Sequence, residues 1–107
     1  MSTFYKNAKV DLTSTAATAL YTTPTAKTAV FRSLLVSEDS GNADTITVPI
    51  TDADSAVFSL YKVKAVSANT TVELLSQPLV VEESEILKVT AATANRLHVV
   101  GSYVEIS

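Results

Sequence analysis

The sequence predicts an all-β fold: one antiparallel β-sandwich, jelly-roll or immunoglobulin-like, of about eight short strands filling a single domain over residues 1–107. Three observations predict it. β-Branched residues are in excess, with fifteen Thr and fourteen Val against ten Leu and one Met. Such residues lose rotamer freedom in helices and pack well on a pleated surface. Apolar and polar residues alternate with period two over Asp44–Thr51, where Ile46, Val48 and Ile50 share one face. Turn-forming clusters return roughly every 8–12 residues, the spacing of sandwiches and barrels.

The elements follow in order. Phe4–Thr13 reads as a first strand, irregular near Asn7, and the small residues Ser14–Ala17 suit a loop. Ala19–Thr23 is a short strand ended by Pro24. Thr28–Ser37 is long and apolar on both faces, with Val30, Leu34 and Val36 on one side and Phe31 and Leu35 on the other. Glu38–Asn42 is a turn in which Gly41 and Asn42 tolerate positive φ and Asp39 and Ser40 cap. In Asp44–Thr51, Pro49 lacks a backbone donor and points to a sheet edge. The cluster Thr51–Ser55 turns the chain. Ala56–Val66 also fits helical spacing at Val57, Leu60, Tyr61 and Lys64, but its neighbours favour a strand. Thr70–Leu75, Ile86–Ala91 and Arg96–Ile106 complete the set, and Gly101 inside the last marks a bulge or a close backbone approach.

Charge and composition exclude several functions. The net charge is −3, and the eight Lys and Arg form no run, so no stripe tracks a nucleic-acid backbone. Without cysteine there is no disulfide, thiolate metal site or Cys nucleophile. Residues 1–6 lack the apolar stretch of roughly 7–15 residues that a signal peptide needs. No run approaches the ~20 apolar residues of a membrane-spanning helix. The expected compartment is a cytoplasm, or an assembly built in one.

No motif carries chemistry. Glu82, Glu83 and Glu85 lie between the apolar runs Leu79–Val81 and Ile86–Val89, where they read as the solvated turn of a hairpin. A calcium loop would need ~6–8 oxygen ligands and a sharp bend at glycine, which is absent here. Paired glycosidase carboxylates need a cleft between them. His98 is the sole histidine, and a Ser–His pair would need a third orienting group. Asp52 and Asp54 read as turn caps rather than half of a calcium loop. With two glycines, no Gly-rich phosphate loop forms. Neither a catalytic residue, a cofactor nor a metal is therefore expected. The surplus is apolar: Phe31, Leu35, Leu75 and Tyr103 fall on outward faces and are the candidate interface residues.

The order of segments resembles a known family. "ALYTTPTAKTAVFRSLLVSE", "TITVPITD", "NTTVELLSQPLVV" and "SEILKVTAATANRLHVVGSYVEIS" together span nearly the whole chain. They resemble small structural proteins of tailed-bacteriophage virions, particularly of phages infecting cyanobacteria. Ser84-Glu85 departs from the Gly-Asp turn often seen there, though the turn role survives. The resemblance implies a β-sandwich virion component assembled in the host cytoplasm. Its expected partners are other virion proteins, either the major capsid protein or neck and tail proteins, and neither nucleic acid nor membrane. A capsid decoration or cement protein is the leading expectation, with a neck, tail or baseplate component second. Symmetric contacts, as in a homotrimer or hexamer, suit that role, with residues 1–9 and 104–107 extending onto neighbours. A virion-borne host-surface or glycan-binding module would instead need an exposed aromatic cluster, for which Tyr21 and Tyr61 are the candidates. A small enzyme would need a cleft around His98.

Overall fold

The computed structural model describes residues 2–107. Nine strands are formed: β1 (Thr3–Asp11), β2 (Thr18–Thr22), β3 (Thr28–Glu38), β4 (Asp44–Thr51), β5 (Val57–Val66), β6 (Thr71–Glu73), β7 (Leu79–Val81), β8 (Ile86–Ala91) and β9 (Leu97–Ile106). The stretch compatible with a helix, Val57–Val66, is a strand. Sheet A has the order β1-β9-β3-β6, with β7 also on β3, and sheet B has the order β2-β8-β4-β5. Every neighbouring pair is antiparallel.

This order resolves the topology as a jelly roll. β4 and β5 form a hairpin within sheet B, and β6 and β7 follow each other along β3. All other consecutive strands change sheet. The chain runs out through β1–β5 and returns through β6–β9, so β1 meets β9, β2 meets β8, β3 meets β6 and β7, and β4 meets β5. It is one long hairpin rolled up, with its tip at Asp52–Ala56. There the Asp52 carboxylate accepts the N–H groups of Asp54 and Ala56, both at 2.9 Å, as its side-chain chemistry favours.

Rolling corrects several expectations. The turn Glu82–Glu85 is not a hairpin: it carries the chain from β7 in sheet A to β8 in sheet B. Pro49 does not mark an edge, because β4 lies between β8 and β5. It is accommodated at a register shift, where Val48 faces Tyr61 but Pro49 faces Ser59, so its missing donor interrupts no regular ladder. Residues 3–9 and 104–106 do not reach away but pair with each other, Thr3 opposite Ile106 and Tyr5 opposite Val104. Met1 lies outside the described residues.

Phe31 and Tyr103 are also corrected: both face inward. β3 carries a bulge at Arg32, since Phe31 faces Tyr103 while the next pair is Ser33 with Ser102. One extra residue switches the faces of the strand. Ala29 and Phe31 are buried before it, Leu34 and Val36 after it, and Leu35 is turned outward. In β9 the alternation is unbroken, so Leu97, Val99, Gly101, Tyr103 and Glu105 all point in. The rings of Phe31 and Tyr103 stack at 4.8 Å, and Tyr21 meets them at 5.4 and 4.6 Å.

Gly101 sits under this stack. A Cβ there would lie 2.7 Å from Phe31 Cε2. The close approach is to a ring, and β9 has no bulge at this point. Gly101→Ala is expected to lose about 1–3 kcal/mol by overpacking, read as a lower urea midpoint at unchanged slope. An unchanged midpoint would show that the ring has room to move.

The free edge of sheet B is blunted. β5 holds two bulges against β4 and carries Lys62 and Lys64. Val63, in the first bulge, has φ +54°, unusual for a β-branched residue. Its N–H donates to the Thr47 hydroxyl at 3.0 Å. Val63→Asn relieves the backbone and is expected to raise stability by about 1 kcal/mol, measured by thermal melting. A loss would place the cost of the bulge elsewhere.

Candidate functional site

The feature that the fold presents is the outer face of sheet A. β-Pairing lines its residues up in transverse rows. One row is Tyr5, Val104, Val30 and Val80, from β1 through β9 and β3 to β7. The next is Asn7, Ser102 and Ser33. Then come Lys9, Val100, Leu35 and Glu73, and finally Asp11, His98, Ser37 and Thr71. Thr3, Ile106 and Thr28 close the opposite end. Tyr5 is 80% exposed, Val80 50% and Leu35 38%.

This face is unlike its counterpart. The outward positions of sheet B include Thr45 and Thr47 in β4 and Lys88 and Thr90 in β8. An antiparallel sandwich ordinarily keeps its outer faces polar, as β8 and β4 do here, whereas the edge strand β5 exposes Val57, Phe58 and Val63. Sheet A places six aliphatic side chains outward across β9, β3 and β7: Val30, Leu35, Val80, Val100, Val104 and Ile106. Two shallow depressions lie along its β1 side. One, of about 340 Å³, is lined by Tyr5, Asn7, Arg32 and Ser102 among others. The other, of about 260 Å³, is lined by Lys9, Asp11, His98 and Val100 among others.

Of the four candidate interface residues, the structure places Leu35 in this face. Phe31 and Tyr103 are core residues for the reason given above. Leu75 follows β6, half-buried against the core. It lines a notch between the two sheets with Leu60, Tyr61, Pro78 and Leu79. Sequence reasoning missed Tyr5, Val30, Val80, Val100, Val104 and Ile106. No local signal marks them; they become neighbours only when β1, β9, β3 and β7 align.

The polar groups are engaged in holding the fold. Glu38 is buried at the end of β3. Its carboxylate accepts the N–H groups of Ser40, Gly41, Asn42 and Asn69 and the Ser40 hydroxyl. Burial alone would raise its pKa, but the donors from Ser40, Asn69 and Gly41 outweigh burial and bring it down to about 2. Glu38, rather than Asp39, caps this turn. Glu73 fills the gap between β6 and β7, accepting the Leu34 N–H at 2.7 Å and the Leu75 N–H at 3.2 Å. Burial opposes its charge, while these bonds and the Ser33 hydroxyl hold its pKa below the usual carboxylate range.

Glu105 is buried as well. It accepts the Tyr21 hydroxyl at 2.7 Å and the Lys6 ammonium at 3.0 Å, with Lys27 at 3.5 Å. The Tyr21 bond, first, and then Lys6 and Lys27 lower its pKa against the effect of burial. Burial and the same carboxylate push the Tyr21 phenol up. Both ammonium groups sit over the Phe4 ring, at 5.6 and 5.9 Å. Tyr21 ties sheet B to sheet A and is buried, so it forms no sugar platform. Tyr61 donates its hydroxyl to the Leu74 carbonyl and is half-buried.

His98 is flanked by carboxylates, Asp11 at 3.2 Å from Nε2 and Asp39 at 3.5 Å from Nδ1. They lie beyond opposite ring nitrogens, so the acids and the imidazole do not converge on one point, and neither nitrogen is turned to a serine. In the Glu82–Glu85 turn, Glu85 accepts the Glu82 N–H at 2.7 Å and Glu83 accepts the Ala26 N–H. Two of its three carboxylates thus serve the backbone.

No protein-family model matches the sequence, and no curated protein does. Among solved structures, a chain described as "Bacillus endospore appendages form a novel family of disulfide-linked pili" is similar in fold, with a TM-score of 0.59. It is 9% identical, and the match covers 99% of this chain and 88% of that one. A chain of infectious bursal disease virus, Gt strain, matches with a TM-score of 0.45 at 10% identity, covering 98% of this chain and 30% of that one. The appendage chain shows that this sandwich occurs at full length in another protein.

Proposed function

We propose that the chain is a non-enzymatic structural subunit that works through non-covalent contacts made by the outer face of sheet A. The observation that carries this reading is the set of continuous aliphatic rows across β9, β3 and β7 on the outer face of sheet A, where the central strands β8 and β4 of sheet B turn Thr and Lys outward. The β5 edge of sheet B supports it less well, because β5 is bulged and carries lysines. A shared fold with a pilus chain agrees with a repeated-subunit role. Those pili are disulfide-linked, whereas this sequence has no cysteine, so contacts between its copies would form without such bonds.

The finer reading is a component of a tailed-phage virion, assembled in the host cytoplasm. It is supported by the segments from Ala19 to Glu38 and from Ser84 to Ser107. Capsid decoration comes first, because a small subunit added to a finished shell stabilises it without altering its lattice. Immunogold labelling of particles from the producing cells tests this. Gold over the shell is expected. Gold confined to the neck or tail moves the subunit there, and its absence from every particle overturns the virion reading.

A further inference from the structure

We infer that the outer face of sheet A closes on the same face of a second copy of this chain, about a two-fold axis parallel to the strands. The inference rests on the structural-subunit reading and names its partner. Two stacked sheets with aligned strands have two isologous arrangements. With the axis along the strands, rows keep their order and columns reverse, so β1 lies over the column of β6 and β7, and β9 lies over β3. With the axis across the strands, columns stay and rows reverse.

The rows choose between them. Reversing columns sets Tyr5 of one copy over Val80 of the other and Val104 over Val30, apolar but for the Tyr5 hydroxyl and for Arg32, which lines the depression beside Tyr5 and Val104. In the next aliphatic row it sets Val100 over Leu35 and Lys9 over Glu73, an opposite-charge pair at both ends. Asp11 and His98 then meet Thr71 and Ser37, with no acid against acid. Reversing rows would instead lay Lys9 over Tyr5 and Glu73 over Val80, burying each charge against an apolar group. Lys9 and Glu73 have no opposite charge within ion-pair distance in their own chain among the described residues. Across this axis Lys9 gains a charge partner, and Glu73, which already accepts the Ser33 hydroxyl and the Leu34 and Leu75 N–H groups, gains one as well.

The size is adequate. Four columns about 4.8 Å apart and five rows about 6.7 Å apart give a footprint of roughly 500 Å² per copy. Both copies together bury on the order of 1,000 Å², the lower bound for a specific interface. The dimer supplies a two-fold building block, in place of the trimer or hexamer expected from the sequence.

Cysteine cross-linking tests the geometry, and the cysteine-free sequence makes it clean. Tyr5 and Val80 are exposed, so Tyr5→Cys and Val80→Cys leave the core untouched. Within one chain they stand three strand spacings apart, about 14 Å, so in the proposed dimer neither variant alone sets two thiols opposite each other. Sheets packed face to face stand about 10 Å apart, so a short bis-maleimide is the probe: an equimolar mixture of the two single variants is expected to cross-link to a dimer at least 10-fold faster than either variant alone. Val104→Lys is expected to abolish that dimer and to halve the mass of the otherwise native chain in light scattering. A monomeric chain with no cross-link overturns the inference, even where gold labels particles and the structural reading stands. An oligomer that survives Val104→Lys without a cross-link overturns this face while keeping self-assembly. A cross-linked dimer absent from all particles keeps the interface and removes the virion reading.

Discussion

Phe31→Ala is expected to cost about 3–5 kcal/mol, the range for removing a buried aromatic ring. The ring is fully buried, stacks on Tyr103, meets Tyr21 edge-on and lies against Gly101. It belongs to sheet A, yet it touches sheet B through Tyr21, so its removal opens the interior where the two sheets join. For a domain of this size the loss corresponds to a fall in melting temperature of roughly 15–25 °C. Against a total stability of about 5–15 kcal/mol, the variant stands near the limit of folding. Calorimetry on the wild type, Phe31→Leu and Phe31→Ala gives the series, with Phe31→Leu falling between. Tyr5→Ala, on the open face, is the control and is expected to change stability little in the monomer. A loss below about 1 kcal/mol for Phe31→Ala would mean that the ring points outward, as simple alternation along Thr28–Ser37 implies.

Acid should unfold the chain far more readily than its mild net charge suggests. Glu38, Glu73 and Glu105 each have a pKa held below the ordinary 4.5 in the folded state. In the unfolded chain they regain that value and bind protons first as pH falls. Their contribution to stability is thus fully present above pH 4.5 and is lost below it, with Glu38 protonating in the folded chain only at about 2. Between those limits unfolding takes up as many as about three protons. The melting temperature should be flat from neutral pH to about 5 and then drop steeply. Glu38→Gln removes part of that slope and lowers stability at pH 7 as well. Its amide turns a donor toward the N–H groups of Gly41, Asn42 and Asn69 or of Ser40, all of which need an acceptor. An acid slope that is unchanged in Glu38→Gln would remove Glu38 from this account.

Much of the fold is legible because strand signals are local. Ile46, Val48 and Ile50 alternate with Thr45 and Thr47, and Asp52 and Gly41 sit where their conformational preferences place turns. What local pattern cannot carry is pairing. The bulge at Arg32 is defined by the partner strand, so the run from Val30 to Leu35 assigns Phe31 and Leu35 to one face when they occupy opposite ones. Pro49 was misplaced for the same reason: a bulge on β5 makes an interior position acceptable to proline. The acidic residues of the turns were visible, but Glu38 was passed over for its neighbours. Its importance comes from Asn69, which lies thirty-one residues further along the chain. The outer face is the least legible feature of all, since its rows combine residues from both ends of the sequence with the middle.

Those two ends have a mechanical consequence. Ser2 and Ser107 exchange backbone hydrogen bonds, at 3.3 and 3.0 Å, and β1 and β9 run antiparallel from that point. Tension applied at Ser2 and Ser107 would meet the ladder one bond pair at a time, because the bonds lie across the strands. The molecule would peel like a zipper, at low force and from the outside inward. A load spread over the rows of sheet A would instead strain many contacts at once, as shear. A subunit of this shape is weak as a link in a string and strong as a tile in a wall.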